Sequence, residues 1–148
     1  AVTWSSSDNA IATISNAMDV SDPNNFVRIL ELFEQKIGDL TAKISSYSIS
    51  DAEIRATIKK VFSDKNYLPD PHGAVAYLAL ENYLQTHPGE KGIFLETAHP
   101  VKFYDVVEPV INSKIEIPRA IEMILHKEKV STQIKAEFGA LKEILNQL

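Results

Sequence analysis

A threonine and a histidine stand close together where a short apolar run ends. The run at 93–95 (IFL) is followed by Thr97 and His99, and Pro100 closes the stretch. In open α/β sheets, ligands bind beyond the carboxyl ends of the strands, where a hydroxyl and an imidazole can form hydrogen bonds with a ligand. The pattern predicts either a ligand-binding loop or an ordinary turn, and both interpretations stay open at this point.

A second polar group comes just before a long apolar stretch. Asp70 is followed by Pro71 and then by His72. Aspartate before a proline at the first helical position is typical of a helix start, in which the carboxylate caps free backbone N–H groups. The pattern favours this capping role, with His72 on the exposed first turn, over a role for both side chains in a ligand-binding crevice.

Several other kinds of active site lack their sequence signals. The histidines never stand three or four residues apart, so no helix presents a pair of zinc ligands, and no metal site is predicted. The chain has no cysteine, which excludes disulfides and thiolate chemistry. Its five glycines are isolated, so neither a nucleophile elbow nor a glycine-rich phosphate loop is present.

Composition indicates one globular unit over residues 1–148, with a loop-rich segment at 1–21. The chain is 45% hydrophobic and carries a net charge of −5, and its basic residues are scattered. Nucleic acid is therefore not an expected partner, because phosphate binding requires a basic stripe. No membrane span is expected either, since the longest apolar run, 74–80, is far shorter than the roughly 20 residues required.

Helical patterns dominate the rest of the chain and surround one predicted strand. The expected helices run from Asp22-Pro23 to near Gly38, from the capping box at Ser50 to about Phe62, from Asp70-Pro71 to His87, over about 100–112, from Pro118, and from Ser131 or Thr132. The strand is the apolar run 93–95. We therefore predict α/β architecture, mostly helical around one or two strands of a parallel sheet.

Three stretches, in order and in register, together resemble threonine synthase. They are TISNAMDVSDPNNF (13–26), PDPHGAVAYLAL (69–80) and FLETAHPVKF (94–103), with a weaker echo in IKAEFGALKEIL (134–145). The resemblance covers essentially the whole chain, and the subtype is similar to that of many bacteria and fungi. It concerns only the carboxyl-terminal part of the family's large domain.

The resemblance implies a fold-type-II enzyme that uses pyridoxal 5'-phosphate (PLP). The reaction expected of the full-length protein is that of a cytoplasmic lyase of threonine biosynthesis, which converts O-phospho-L-homoserine and water to L-threonine and phosphate. In the family, the Schiff-base lysine and the phosphate loop lie upstream. We therefore expect no catalytic residue in this chain, and we expect it to be an inactive fragment that needs the missing amino-terminal part.

The resemblance also assigns roles to single residues. It implies that the hydroxyl of Thr97 meets the pyridine nitrogen of PLP. His99, Asp70 and His72 become candidates for the substrate or the active-site cleft. Residues 15–16 belong to a family signature and receive no role.

One alternative comes from a different class of protein. The helix pattern at 71–86 is apolar almost all round, which requires a covering surface. Upstream residues of the same chain would supply that surface in an enzyme. A partner protein would supply it in a non-catalytic helical interaction domain.

Overall fold

The described part of the protein is helical. A computed structural model describes residues 13–15 and 26–147. Its elements are α1 (Phe26–Leu32), α2 (Ile37–Thr41), α3 (Asp51–Lys65), α4 (Pro71–Thr86), a 3₁₀ helix (Pro100–Phe103), α5 (Tyr104–Ile111), α6 (Arg119–Leu125) and α7 (Phe138–Leu145). No helix among these residues is long and apolar enough to cross a membrane.

The first predicted helix is two short helices. α1 ends at Leu32, and α2 begins at Ile37. Between them, Glu34 and Gln35 adopt the left-handed conformation, with φ of 50° and 60°. A right-handed helix cannot continue through such residues, so the prediction of one helix to near Gly38 was wrong. The predicted start at 22–23 lies outside the described residues.

α3 begins at the predicted capping box. The Glu53 N–H donates to Ser50 Oγ at 3.4 Å, and the Ser50 N–H donates to Glu53 Oε2 at 2.7 Å. These bonds pair two backbone N–H groups that a helix start leaves free. The Ser50 hydroxyl, which donates to Glu53 Oε2 at 2.6 Å, and then the Ser50 N–H lower the pKa of Glu53. The helix runs to Lys65, past the predicted end near Phe62, and stops at Asn66 in the left-handed conformation.

The hydrophobic core lies where α3, α4 and α5 meet. Ile54 and Ile58 from α3 contact Ala74 from α4, and Phe103 and Val107 close the cluster. Ile54, Ile58 and Val107 have no exposed surface. Full burial of one such side chain contributes about 1.5–3 kcal/mol, so this cluster fixes the start of α4 against the segment that leads into α5.

The predicted strand at 93–95 has no partner strand. Residues 91–97 belong to no regular element, and no sheet forms among residues 13–15 and 26–147. Ile93 and Leu95 are 90% and 74% exposed, whereas Phe94 is half-buried, with its ring 5.6 Å from that of Tyr77. A strand requires a neighbour to pair with its backbone, and the described residues supply none. The predicted mostly helical character is confirmed, and the parallel sheet is absent from this part of the chain.

The predicted helix over 100–112 consists of two elements. A 3₁₀ helix covers Pro100–Phe103, and α5 then continues to Ile111. His99 caps the 3₁₀ helix, and Asn112 ends α5 in the left-handed conformation.

The chain divides into two compact units, Ala1–Glu116 and Ile117–Leu148. In the second unit, α6 follows Pro118 as predicted. α7 begins only at Phe138, so the predicted start at Ser131 or Thr132 was wrong. The stretch 130–134 contains three β-branched residues, whose restricted side chains disfavour a helix.

Candidate functional site

Asp70 is a fully buried carboxylate at the start of α4. Its Oδ1 accepts hydrogen bonds from the backbone N–H groups of His72 and Gly73, at 2.6 and 3.3 Å. His72 Nδ1 lies 3.0 Å from the same oxygen, at a distance where a protonated Nδ1 donates. The capping role that the sequence favours for Asp70 is confirmed.

The same residue also holds the loop that contains Thr97. Asp70 Oδ2 accepts a hydrogen bond from the Ala98 N–H at 3.1 Å. In return, the backbone N–H of Asp70 donates to Glu96 Oε1 at 2.7 Å. Glu96 and Ala98, on either side of Thr97, are therefore both bonded to Asp70, although they lie 26 and 28 positions from it in the sequence.

Thr97 itself is exposed. Among the described residues, no group forms a hydrogen bond with its hydroxyl. Its neighbour Ala98 is held through the backbone and its neighbour Glu96 through the side chain, while the side chain of Thr97 stays available. This arrangement suits a hydroxyl that donates to or accepts from a bound molecule.

The two histidine candidates lie in different surroundings. His72 is next to Asp70, and its ring meets that of Phe103 edge to face at 5.1 Å. His99 is exposed, and its Nδ1 accepts from the Val101 N–H at 3.1 Å. The structure therefore brings His72 and Asp70 together, whereas the described bond of His99 is to the 3₁₀ helix that follows it.

Glu96 is the residue that the sequence predictions missed. Its Oε2 is buried and has no hydrogen-bond partner in the described part of the chain. Burial raises the pKa of Glu96, and the negative charge of Asp70 raises it further, whereas the bond from the Asp70 N–H and the nearby His72 act in the opposite direction. The period-two alternation of an extended segment places Glu96 on the same inner side as Phe94, a signal that would have identified it.

Gly73 leaves the space that the Glu96 carboxyl group occupies. A Cβ atom at position 73 would collide with that carboxyl group. Glycine therefore permits the close approach of α4 to the loop, and the pair Gly73 and Glu96 is complementary in shape.

Comparison with known proteins relates this chain to one enzyme family. Residues 73–145 match the family model described as threonine synthase, C-terminal. The chain is 38% identical over 135 residues to threonine synthase from Serratia marcescens and 40% identical over 134 residues to that from Escherichia coli. These alignments cover 91% and 90% of this chain but only 30% of each relative.

Solved structures give the same relationship. The crystal structure of threonine synthase from Escherichia coli matches 93% of this chain with a TM-score of 0.74 and 36% identity. A PLP-bound threonine synthase from Brucella melitensis matches 93% of it with a TM-score of 0.59 and 22% identity, which supports the fold alone. The chain spans about a third of these structures, 31% and 34%.

Proposed function

Through residues 73–145 this chain belongs to the threonine synthase family, and on that premise we propose that it is the carboxyl-terminal part of a PLP-dependent threonine synthase. The observation that carries the proposal is the identity of about 40% to threonine synthases over nine-tenths of the chain. The full-length protein converts O-phospho-L-homoserine and water to L-threonine and phosphate in the cytoplasm. In the overall reaction the bond from the γ-carbon to the phosphate oxygen breaks and a hydrogen takes the place of phosphate there, while the hydroxyl of water replaces one hydrogen on the β-carbon.

Thr97 is the residue we assign to the cofactor. Thr97 is exposed, and its hydroxyl can donate a hydrogen bond to the pyridine nitrogen of PLP, so the residue type fits that edge of the cofactor. PLP supplies an electron sink for bonds broken at the amino-acid substrate. A carboxylate at the nitrogen would keep the ring protonated, whereas a hydroxyl does not. The nearby Asp70 is fully buried behind the loop, which supports a hydroxyl as the contact.

The other candidate residues support the loop or line the cleft. We propose that Asp70 holds the loop through Ala98 rather than touching the substrate. His72, beside Asp70, and the exposed His99 remain our candidates for the wall of the substrate cleft. The lysine that binds PLP and the loop that binds its phosphate come from the upstream part of the protein. The 148-residue chain alone is therefore inactive.

The extended segment 91–97 becomes a strand in the full-length protein. Its outward side chains Ile93 and Leu95 are the kind that a parallel sheet buries on both faces. We propose that upstream residues pair with this segment and complete a fold-type-II sheet.

An activity assay on the full-length protein tests the proposal. The purified protein is incubated with O-phospho-L-homoserine, with and without added PLP, and both phosphate and threonine are measured. We expect equal amounts of the two products with PLP and none from the 148-residue chain alone. A folded full-length protein that neither binds PLP nor forms threonine would instead favour the non-catalytic interaction domain.

A further inference from the structure

We propose that Asp70 and Glu96 form a reciprocal pair that positions Thr97 for the cofactor. This inference rests on the proposed contact between Thr97 and PLP and adds the residues that make the contact geometrically possible. Both are positioning residues, since each acts on the segment that carries Thr97 and does not itself touch the cofactor.

The pair consists of two hydrogen bonds that run in opposite directions. The backbone N–H of Asp70 donates to the side chain of Glu96, and the backbone N–H of Ala98 donates to the side chain of Asp70. Together they tie the Glu96 side chain and the Ala98 backbone, which flank Thr97, to Asp70, so the segment is held to the start of α4 at two points. A single bond would leave the segment free to rotate about that point.

Burial makes these bonds effective. The side chain of Asp70 has no exposed surface, and both bonds of the pair are part-buried. Water therefore competes less for these bonds than at the surface, and hydrogen bonds to charged groups are stronger where the dielectric constant is low. Asp70 is itself held by the start of α4, which packs in the core through Ala74. The loop thus takes its position from the best-packed part of the unit.

Positioning matters because the Thr97 hydroxyl can bond the cofactor only from a narrow range of distances. A hydrogen bond in a protein needs its donor and acceptor about 2.5–3.2 Å apart. No group among the described residues holds the side chain of Thr97 directly. The bonds that its neighbours Glu96 and Ala98 make to Asp70 are therefore the means by which the described part of the protein sets the position of this hydroxyl.

Each anchor can be removed by a separate substitution. Glu96→Ala removes the acceptor for the Asp70 N–H, and Glu96→Gln keeps an acceptor at the same place. Asp70→Asn keeps one side-chain oxygen but replaces the other with a donor, so it cannot cap α4 and bind Ala98 together. Glu116→Ala is the matched control, because Glu116 is an exposed glutamate outside the pair.

The test is the PLP affinity of these variants in the full-length protein, in the wild-type and the Thr97→Ala background. In the wild-type background we expect Glu96→Ala and Asp70→Asn each to weaken PLP binding about tenfold, the usual size for loss of one hydrogen bond to a charged group. Glu96→Gln recovers most of the affinity that Glu96→Ala loses, and Glu116→Ala keeps wild-type affinity. In the Thr97→Ala background, neither Glu96→Ala nor Asp70→Asn lowers the affinity further, because the pair acts only through that hydroxyl.

Other outcomes overturn the inference in distinguishable ways. If Thr97→Ala weakens PLP binding but Glu96→Ala and Asp70→Asn each cause the same loss in both backgrounds, the pair is merely structural while the role of Thr97 survives. If Thr97→Ala leaves PLP affinity at the wild-type value, both the pair and the proposed cofactor contact fall.

Hydrogen exchange of the Ala98 amide provides a readout independent of the cofactor. Without PLP, the exchange of this amide is expected to accelerate in Asp70→Asn and to stay slow in Glu116→Ala. Unchanged exchange in Asp70→Asn would overturn the inference even if Glu96→Ala fails to fold.

Discussion

The carboxylate of Asp70 accepts a hydrogen bond from the backbone N–H of Ala98 at 3.1 Å, although the two residues are 28 positions apart in the chain. The other oxygen of the same carboxylate caps α4 through His72 and Gly73. One side chain therefore both starts a helix and fixes a loop. Because these roles share one buried carboxylate, a substitution at Asp70 is expected to disturb the helix start and the loop together.

Loss of the Thr97 hydroxyl should weaken the binding of PLP. We expect Thr97→Ala in the full-length protein to lower PLP affinity about tenfold and to slow turnover, since one hydrogen bond to the ring is lost. Thr97→Ser keeps the hydroxyl and serves as the control. Titration of the apoprotein with PLP measures the affinity, and a wild-type value in Thr97→Ala would refute the assignment.

A methyl group at position 73 should destabilise the protein. Gly73→Ala gains about 1 kcal/mol of helix propensity, but its Cβ atom displaces the carboxyl group of Glu96 from its bond with the Asp70 N–H, and loss of such a bond to a charged group costs about 1.5–3 kcal/mol. We expect a net loss in the free energy of unfolding, measured by urea denaturation.

Two further variants separate the effect of the collision with Glu96 from the effect of helix propensity. Glu96→Ala removes the obstructing group, so adding Gly73→Ala to it should cost less than adding it to the wild type. Gly139→Ala in α7 meets no atom within 4 Å and should be neutral or stabilising. Equal losses in Gly73→Ala and Gly139→Ala would contradict the collision.

Glu96 should make stability fall as the pH rises. Burial raises the pKa of Glu96 above its ordinary value of 4.5, so the folded state binds the proton more tightly than the unfolded state. The resulting stabilisation is present in full below 4.5 and disappears as the pH rises through the folded-state pKa. The neutral amide in Glu96→Gln lacks this dependence.

Urea denaturation at a series of pH values from about 4 to about 7 measures this effect. We expect the free energy of unfolding of Glu96→Gln, relative to the wild type, to increase across that range. Glu116→Gln, at an exposed position, should follow the wild type. A difference between Glu96→Gln and the wild type that stays constant with pH would exclude the raised pKa.

The capping box at Ser50 should contribute to the stability of α3. Ser50→Ala removes the oxygen that accepts from the Glu53 N–H, and such a loss costs about 1 kcal/mol. Ser50→Thr keeps the hydroxyl and should retain most of the stability. Thermal and urea denaturation of the 148-residue chain would reveal the loss, and equal stability of the alanine and threonine variants would argue against the cap.

A charge at Leu95 should distinguish the full-length protein from this chain. Leu95 is 74% exposed here, so Leu95→Asp should change the stability of the 148-residue chain by less than about 0.5 kcal/mol. In the full-length protein the proposed sheet buries this side chain, and an unpaired buried carboxylate is strongly destabilising. Leu95→Ile is the volume-matched control. Equal effects of Leu95→Asp in both proteins, measured by denaturation, would refute the proposed strand.

Some features of this protein follow from the sequence because the interactions that create them are local. The cap at Asp70 and the capping box at Ser50 join groups two or three positions apart, so their residue types alone predict the starts of α3 and α4. The threonine synthase resemblance likewise depends on contiguous motifs. It identifies Thr97 as the cofactor candidate, an assignment that stays a prediction.

Other features depend on the tertiary structure because their partners are distant in the chain. The left-handed turn at Glu34 and Gln35 breaks a helix that apolar spacing alone predicts as continuous. The segment around Ile93 has the sequence of a strand, yet a strand forms only when another strand pairs with it, and the described residues contain none. The helical and extended patterns therefore predict which conformation each segment prefers. They do not predict that one helix is interrupted or that no sheet forms among the described residues.

The bonds that Glu96 and Ala98 make to Asp70 are the clearest case. The sequence by itself determined that Asp70 starts a helix and that Thr97 follows an extended apolar segment. Only the packing of α3, α4 and α5 brought these two places together, across 26 and 28 positions. The physical reason is that a hydrogen bond needs its donor and acceptor about 3 Å apart, and for residues so distant in the chain the burial of the core supplies that proximity.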